Sequence, residues 1–155
     1  MARCIIIPAN PYHPLTRTDL VSLADLQRAV GGWVEQVNIT QTLAMLVDED
    51  GRAKTLRQNR RATLLWRLLF PAARNELGIV GDAVLTGIPE NERYTDVPED
   101  FDRLLIETRR YVVRAVAGDD EVRSRPFDNF WDASEVAIVA DVADALGDVE
   151  VIAYE

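Results

Sequence analysis

Apolar positions recur along this chain in two rhythms, and the points where one gives way to the other mark its elements. Residues 1–7 carry the run Cys4-Ile-Ile-Ile7 and predict a first strand, closed by Pro8 and the turn-rich Asn10-Pro-Tyr-His-Pro14. Leu20, Leu23, Leu26 and Val30, with Gln27 at the margin, fall three or four apart. That spacing predicts a helix over residues 18–30, with Thr18 as its cap and Asp19 in its first turn. Gly31 follows as the left-handed residue that ends it. Trp33, Glu35, Val37 and Ile39 then alternate with Val34, Gln36 and Asn38, the period of a half-buried strand. Residues 43–47 predict its antiparallel neighbour across a turn at 40–42, and Asp48-Glu-Asp-Gly51 predicts a hairpin reversal. Ala62, Leu65, Trp66 and Leu69 share one face of a helix capped by Asn59 and ended by Pro71. Residues 77–87 read as a strand, or as a hairpin turning at Gly81-Asp82.

Residues 89–98 are polar and bounded by two prolines, and are the candidate linker. Beyond them Phe101, Leu104, Leu105, Thr108, Tyr111, Val112 and Ala115 keep a helical spacing, predicting a helix over 98–117 stopped by Gly118. Residues 119–125 read as a charged loop. An aromatic cluster of Phe127, Phe130 and Trp131 precedes a helix over 134–146 stopped by Gly147, and residues 149–154 give a last strand. Strands and helices do not alternate regularly, as a parallel sheet requires. The expected class is therefore α+β: a mixed, mainly antiparallel sheet packed against three to four helices. Trp33 and Trp66 fall on faces expected to be buried.

A chain of 155 residues has room for one well-buried core, so a single domain over 1–155 is expected. Its 48% hydrophobic and 28% charged content is that of a folded protein. The apolar runs are too short to span a bilayer or to form a signal-peptide core, which predicts a cytoplasmic protein with no membrane partner. Cys4, the only cysteine, sits in a strand pattern and reads as a buried thiol. Charge changes the picture more. Residues 1–75 hold ten basic and six acidic side chains, whereas residues 76–155 hold seven and twenty. Solvated helix faces explain that imbalance, and so does an acidic surface for a basic partner or one that imitates a phosphate backbone.

The chain offers little to catalysis. One cysteine and one histidine (His13, in a proline-rich loop) cannot build a zinc site without carboxylates supplying most ligands. A calcium loop around Gly51 fails, because Leu46 would fall at its first ligand position and Arg57 where a glutamate must close it. No phosphate-binding glycine loop or serine elbow is present. No catalytic residue, metal or cofactor is assigned. Arg52, Lys54, Arg57, Arg60 and Arg61, beside Gln58 and Asn59, read either as a solvated arm or as a grip for phosphate or carboxylate.

Three segments in order resemble the domain-of-unknown-function family numbered 3846, common in bacteriophages, plasmids and mobile elements. They are Leu26-Gln-Arg-Ala-Val-Gly-Gly-Trp-Val-Glu, Leu46-Val-Asp-Glu-Asp-Gly-Arg-Ala-Lys with Leu56-Arg-Gln-Asn-Arg-Arg-Ala, and Ile79-Val-Gly-Asp-Ala-Val-Leu. The resemblance covers residues 1–88 and leaves 89–155 as an acidic helical extension with a C-terminal strand. It implies a small α+β protein of a phage or mobile element and no known reaction. Arg57-Gln58 stands where the family often has a proline-containing approach to the asparagine.

Two functions are expected from these observations. In one, a phage-type accessory protein binds a protein partner through Glu90, Glu92, Asp96, Glu99, Asp100, Asp119, Asp120 and Glu121, in one version as an acidic mimic of nucleic acid. Direct nucleic-acid binding by so acidic a surface is disfavoured. In the other, Glu35, Arg57, Asn59, Arg60 and Asp82 form a site for a small ligand or nucleotide. Oligomeric state is left open.

Overall fold

The computed structural model describes residues 1–142 and 148–155. Among the described residues the elements follow one another as β1 (Ala2–Ile7), β2 (Thr16–Leu20), α1 (Leu23–Val30), β3 (Val34–Asn38), β4 (Leu43–Asp48), α2 (Arg60–Leu69), a 3-10 turn (Pro71–Asn75), β5 (Ala83–Gly87), α3 (Glu99–Asp102), a π turn (Arg103–Glu107), β6 (Tyr111–Ala117), β7 (Asp120–Arg123), α4 (Phe130–Val142) and β8 (Asp148–Ala153). The class is α+β, with every strand pair antiparallel. The chain divides into two compact units, residues 1–102 and 103–155, so the boundary falls inside the segment expected to be one long helix.

In the first unit the strands stand in the order β2-β1-β5-β4-β3. One face carries Ala2, Cys4, Leu46 and Val84, into which α1 inserts Leu26 and Val30. Register places Ile5, Leu85 and Met45 on the opposite face, all fully buried. Trp66 of α2 lines a hollow with Val37 and Val47 of that same face. Sheet and two helices thus make the layers, with the core on both faces of the central strands.

The sequence expectations hold where a terminus signal is local. Gly31 ends α1 at φ 87, its N–H donating to the Gln27 carbonyl. Asn59 caps α2, and β3 and β4 form the expected hairpin. Several boundaries differ. The helix expected from Thr18 begins at Leu23, because Ser22 and Asp25 form a capping box. Thr16–Leu20 instead pairs along β1, with Cys4 opposite Thr18, which satisfies a sheet edge that would otherwise be open. Asp48-Glu-Asp-Gly51 starts a coiled turn toward α2 instead of reversing a hairpin. Gly81-Asp82 is likewise no hairpin turn: β5 lies between β1 and β4, so neither of its sides is free for a strand from residues 78–80. Trp33 is 66% exposed, not core.

The expected linker is a strap fastened to the sheet. Gly87 N–H donates to the Thr95 carbonyl (2.9 Å) and Val97 N–H to that of Arg3 (3.0 Å). Arg3 N–H in turn donates to the Asp96 carboxylate at 2.7 Å, and Val97 is buried. Asp102, also buried, receives Arg17 Nε at 2.8 Å.

The long helix expected over 98–117 holds only through Glu99–Asp102 and the π turn Arg103–Glu107; from Tyr111 the chain is β6, which runs between β7 and β8. Tyr111-Val-Val-Arg-Ala-Val satisfies helical spacing and strand alternation at once, and its β-branched residues favour the strand. The Tyr111 hydroxyl donates to the Leu104 and Thr108 carbonyls, and burial pushes its pKa up to about 12. Residues 120–123 of the expected charged loop are β7, reached through a turn at Gly118 with φ 61. Phe130 opens α4 and meets Tyr111 edge-on at 5.6 Å. The expected helix end at Leu146 and Gly147 lies outside the described residues.

Candidate functional site

Sequence reasoning brought Glu35, Arg57, Asn59, Arg60 and Asp82 together. Asn59 is fully buried at the start of α2, and its amide works for the fold. Nδ2 donates to the Ile7 and Gly81 carbonyls at 2.8 and 2.9 Å, while Oδ1 accepts from Ala62 N–H at 3.0 Å. Asp82 accepts from Ala9 N–H at 2.8 Å, and the Arg57 carbonyl accepts from Gly81 N–H at 2.7 Å. These residues converge where β1 leaves the sheet. The Arg60 and Arg57 side chains are exposed there.

Arg61, expected from sequence to be part of a solvated arm or a grip for an anion, is instead buried in the same place. Its Nη2 donates to the carbonyls of Pro8, Asn10 and His13 at 2.8, 3.1 and 2.8 Å. Burial lowers the pKa of its guanidinium. Arg61 therefore clamps the proline-rich loop.

Glu35 lies apart, lining a hollow of about 260 Å³ with Arg52 and Trp66, whose indole N–H is buried without a partner among the described residues. Arg52 donates to the Gly78 carbonyl, and Lys54 donates to Asp48 at 2.7 Å and to the Gly31 carbonyl at 3.2 Å. Arg52, Lys54 and Arg61 are thus directed at the chain's own oxygens.

Two features remain open to an outside molecule. The first is acidic. Glu90, Glu92 and Asp96 are exposed on the strap, and Glu99 and Asp100 are exposed in α3, which follows it. In the second unit Asp119 and Asp120 are exposed at the β6–β7 turn, whereas Glu121 is shared between Arg114 (3.2 Å) and Arg123 (3.3 Å), and Arg114 also pairs with Glu150. The second is a cavity of about 510 Å³ in the first unit, on the α1 side of the sheet. Ala2, Cys4, Leu20, Leu26 and Tyr94 line it together with Ser22, Glu92 and Arg93, so its surface is mixed. The Cys4 thiol is raised to about 12, first by burial and then by the Asp96 and Asp19 carboxylates, so it stays protonated as a piece of apolar wall.

No helix of the described residues is long and apolar enough to cross a membrane. The model of one protein family, described as Domain of unknown function (DUF3846), matches residues 3–109. That match runs beyond the motifs read from residues 1–88 and takes in the acidic strap. No curated protein and no solved structure matches the chain.

Proposed function

The chain belongs to the DUF3846 family, and on that footing we propose that it is a non-enzymatic accessory protein of phage or mobile-element type. It works in the host cytoplasm and uses its acidic strap to bind a basic surface on a protein partner. One observation carries the proposal: the exposed carboxylate of Glu90 sits on a segment hydrogen-bonded to β1 and β5, not on a free linker, and those of Glu99 and Asp100 follow it directly in α3. Ordering a flexible residue costs about 1–2 kcal/mol of backbone entropy, and a pinned strap avoids that cost at the moment of binding. Fixed carboxylates on a chain of net charge −9 suit a partner that otherwise grips a phosphate backbone.

The rival site around Glu35, Asn59, Arg60 and Asp82 has less to rest on, because Asn59 and Asp82 already serve the chain's own backbone. The test is affinity capture of the tagged protein from host lysate, beside a Glu90→Gln/Glu99→Gln/Asp100→Asn variant. One host protein recovered near stoichiometry by the wild type and lost with the variant supports the proposal. Equal recovery by both, or no recovery by either, overturns it.

A further inference from the structure

Between β5 and α3 the strap makes one tight reversal. Glu90 and Arg93 exchange both backbone hydrogen bonds, at 2.8 and 2.9 Å, across Asn91 and Glu92. Both central residues have positive φ, 49 for Asn91 and 63 for Glu92, as the primed turns require. Asparagine is tolerated there. Glutamate is not an economical choice, since glycine adopts that backbone without a side-chain clash. A side chain held in strained backbone at the mouth of a cavity points to a use for that side chain.

The cavity explains what the use is. Its volume of about 510 Å³ suits a small molecule, and its wall sets the apolar side chains of Ala2, Leu20, Leu26 and Tyr94 among polar groups that include Ser22. At its rim stand one carboxylate and one guanidinium, Glu92 and Arg93, adjacent on a rigid turn. Neither side chain has an ion-pair partner among the described residues. A ligand bearing only a cation would meet Arg93, and one bearing only an anion would meet Glu92. We propose that this cavity binds a small zwitterion with an apolar body, of the chemistry of a large apolar amino acid: ammonium to Glu92, carboxylate to Arg93, hydrocarbon against Leu20, Leu26 and Tyr94. The acidic-strap reading is independent of this site, because Glu90, Glu99 and Asp100 do not line the cavity.

The test is isothermal titration of the full chain with L-phenylalanine and L-leucine, beside phenylalaninamide, which lacks the carboxylate, and N-acetylphenylalanine, which lacks the ammonium. Saturable binding of at least one free amino acid is expected, with both capped compounds weaker by about tenfold or more. Glu92→Gln and Arg93→Gln, exposed positions whose fold is checked by circular dichroism, are expected to weaken the zwitterion to a similar degree. Absence of saturable binding by both amino acids overturns the proposal. So does binding of either capped compound as tight as the free amino acid, or binding unchanged in both variants. Loss of partner capture by the Glu90→Gln/Glu99→Gln/Asp100→Asn variant, with amino-acid binding intact, separates this site from the strap.

Discussion

Lys54 Nζ reaches the Asp48 carboxylate at 2.7 Å, and the pair closes over the Cα of Gly32. A Cβ built on Gly32 would stand 2.6 Å from Lys54 Nζ and 2.8 and 2.9 Å from the two Asp48 oxygens. The two glycines after α1 therefore answer different demands. Gly31 has open space around it and is needed for its φ of 87, whereas Gly32 is needed for room beneath an ion pair. Gly31→Ala is expected to cost about 1 kcal/mol through backbone strain. Gly32→Ala is expected to cost about 1–3 kcal/mol through overpacking. Urea unfolding checks both, and combining Gly32→Ala with Lys54→Ala is expected to cost less than the sum of the single changes.

The same pair sets a pH dependence. The Lys54 hydrogen bond, helped by Asp50 N–H, holds the Asp48 carboxyl below its ordinary range in spite of burial. A carboxylate with a depressed folded pKa stabilises the protein above its unfolded pKa of about 3.9, and that contribution is lost as pH falls through the folded value. Lys54→Met removes the support and leaves a buried carboxylate. It is expected to destabilise by about 2 kcal/mol at pH 7, with the gap to wild type narrowing below about pH 4. Urea midpoints measured from pH 3 to 7 test this; a constant gap across the range contradicts it.

Asn59 separates a structural from a ligand-binding role. Asn59→Ala removes a cap and leaves the Ile7 and Gly81 carbonyls without their donor, an expected loss of about 2–4 kcal/mol. Asn59→Asp keeps the cap but turns both donors into an acceptor in a buried site. It is expected to be at least as damaging, by thermal denaturation, although it preserves shape.

Asn59 also shows how far the sequence could be read. Its role as cap was legible because a cap is a local arrangement with the residue three places on. Its bonds to Ile7 and Gly81 span 52 and 22 residues and leave no local trace. Gly31 was legible for the same reason as the cap, since a left-handed helix stop depends on one residue's backbone. Tyr111–Ala117 was misread because its apolar spacing fits both periods, and what decides between them is pairing with β8, nearly forty positions away. Arg61 reads in the sequence as one of a solvated or anion-gripping stretch and not as a loop clamp, because the carbonyls that bury it lie in a loop about fifty residues earlier.

Glu92→Gly tests the strain at the strap's tight turn. Relief of a non-glycine φ of 63 is expected to raise stability by about 0.5–1 kcal/mol even though it removes a side chain. A drop in the thermal midpoint would show that the glutamate stabilises the fold.

The pinned acidic strap is tested most directly by the salt dependence of affinity for the captured partner. For the wild type, affinity is expected to fall steeply between 50 and 200 mM salt, as screening shortens the range of the strap's field (about 10 Å at 0.1 M). With Glu90→Gln/Glu99→Gln/Asp100→Asn the slope is expected to flatten and binding to weaken at low salt, whereas Asp119→Asn/Asp120→Asn in the second unit leaves both nearly unchanged. Wild-type affinity that is indifferent to salt, or a triple variant indistinguishable from wild type, would contradict the proposal.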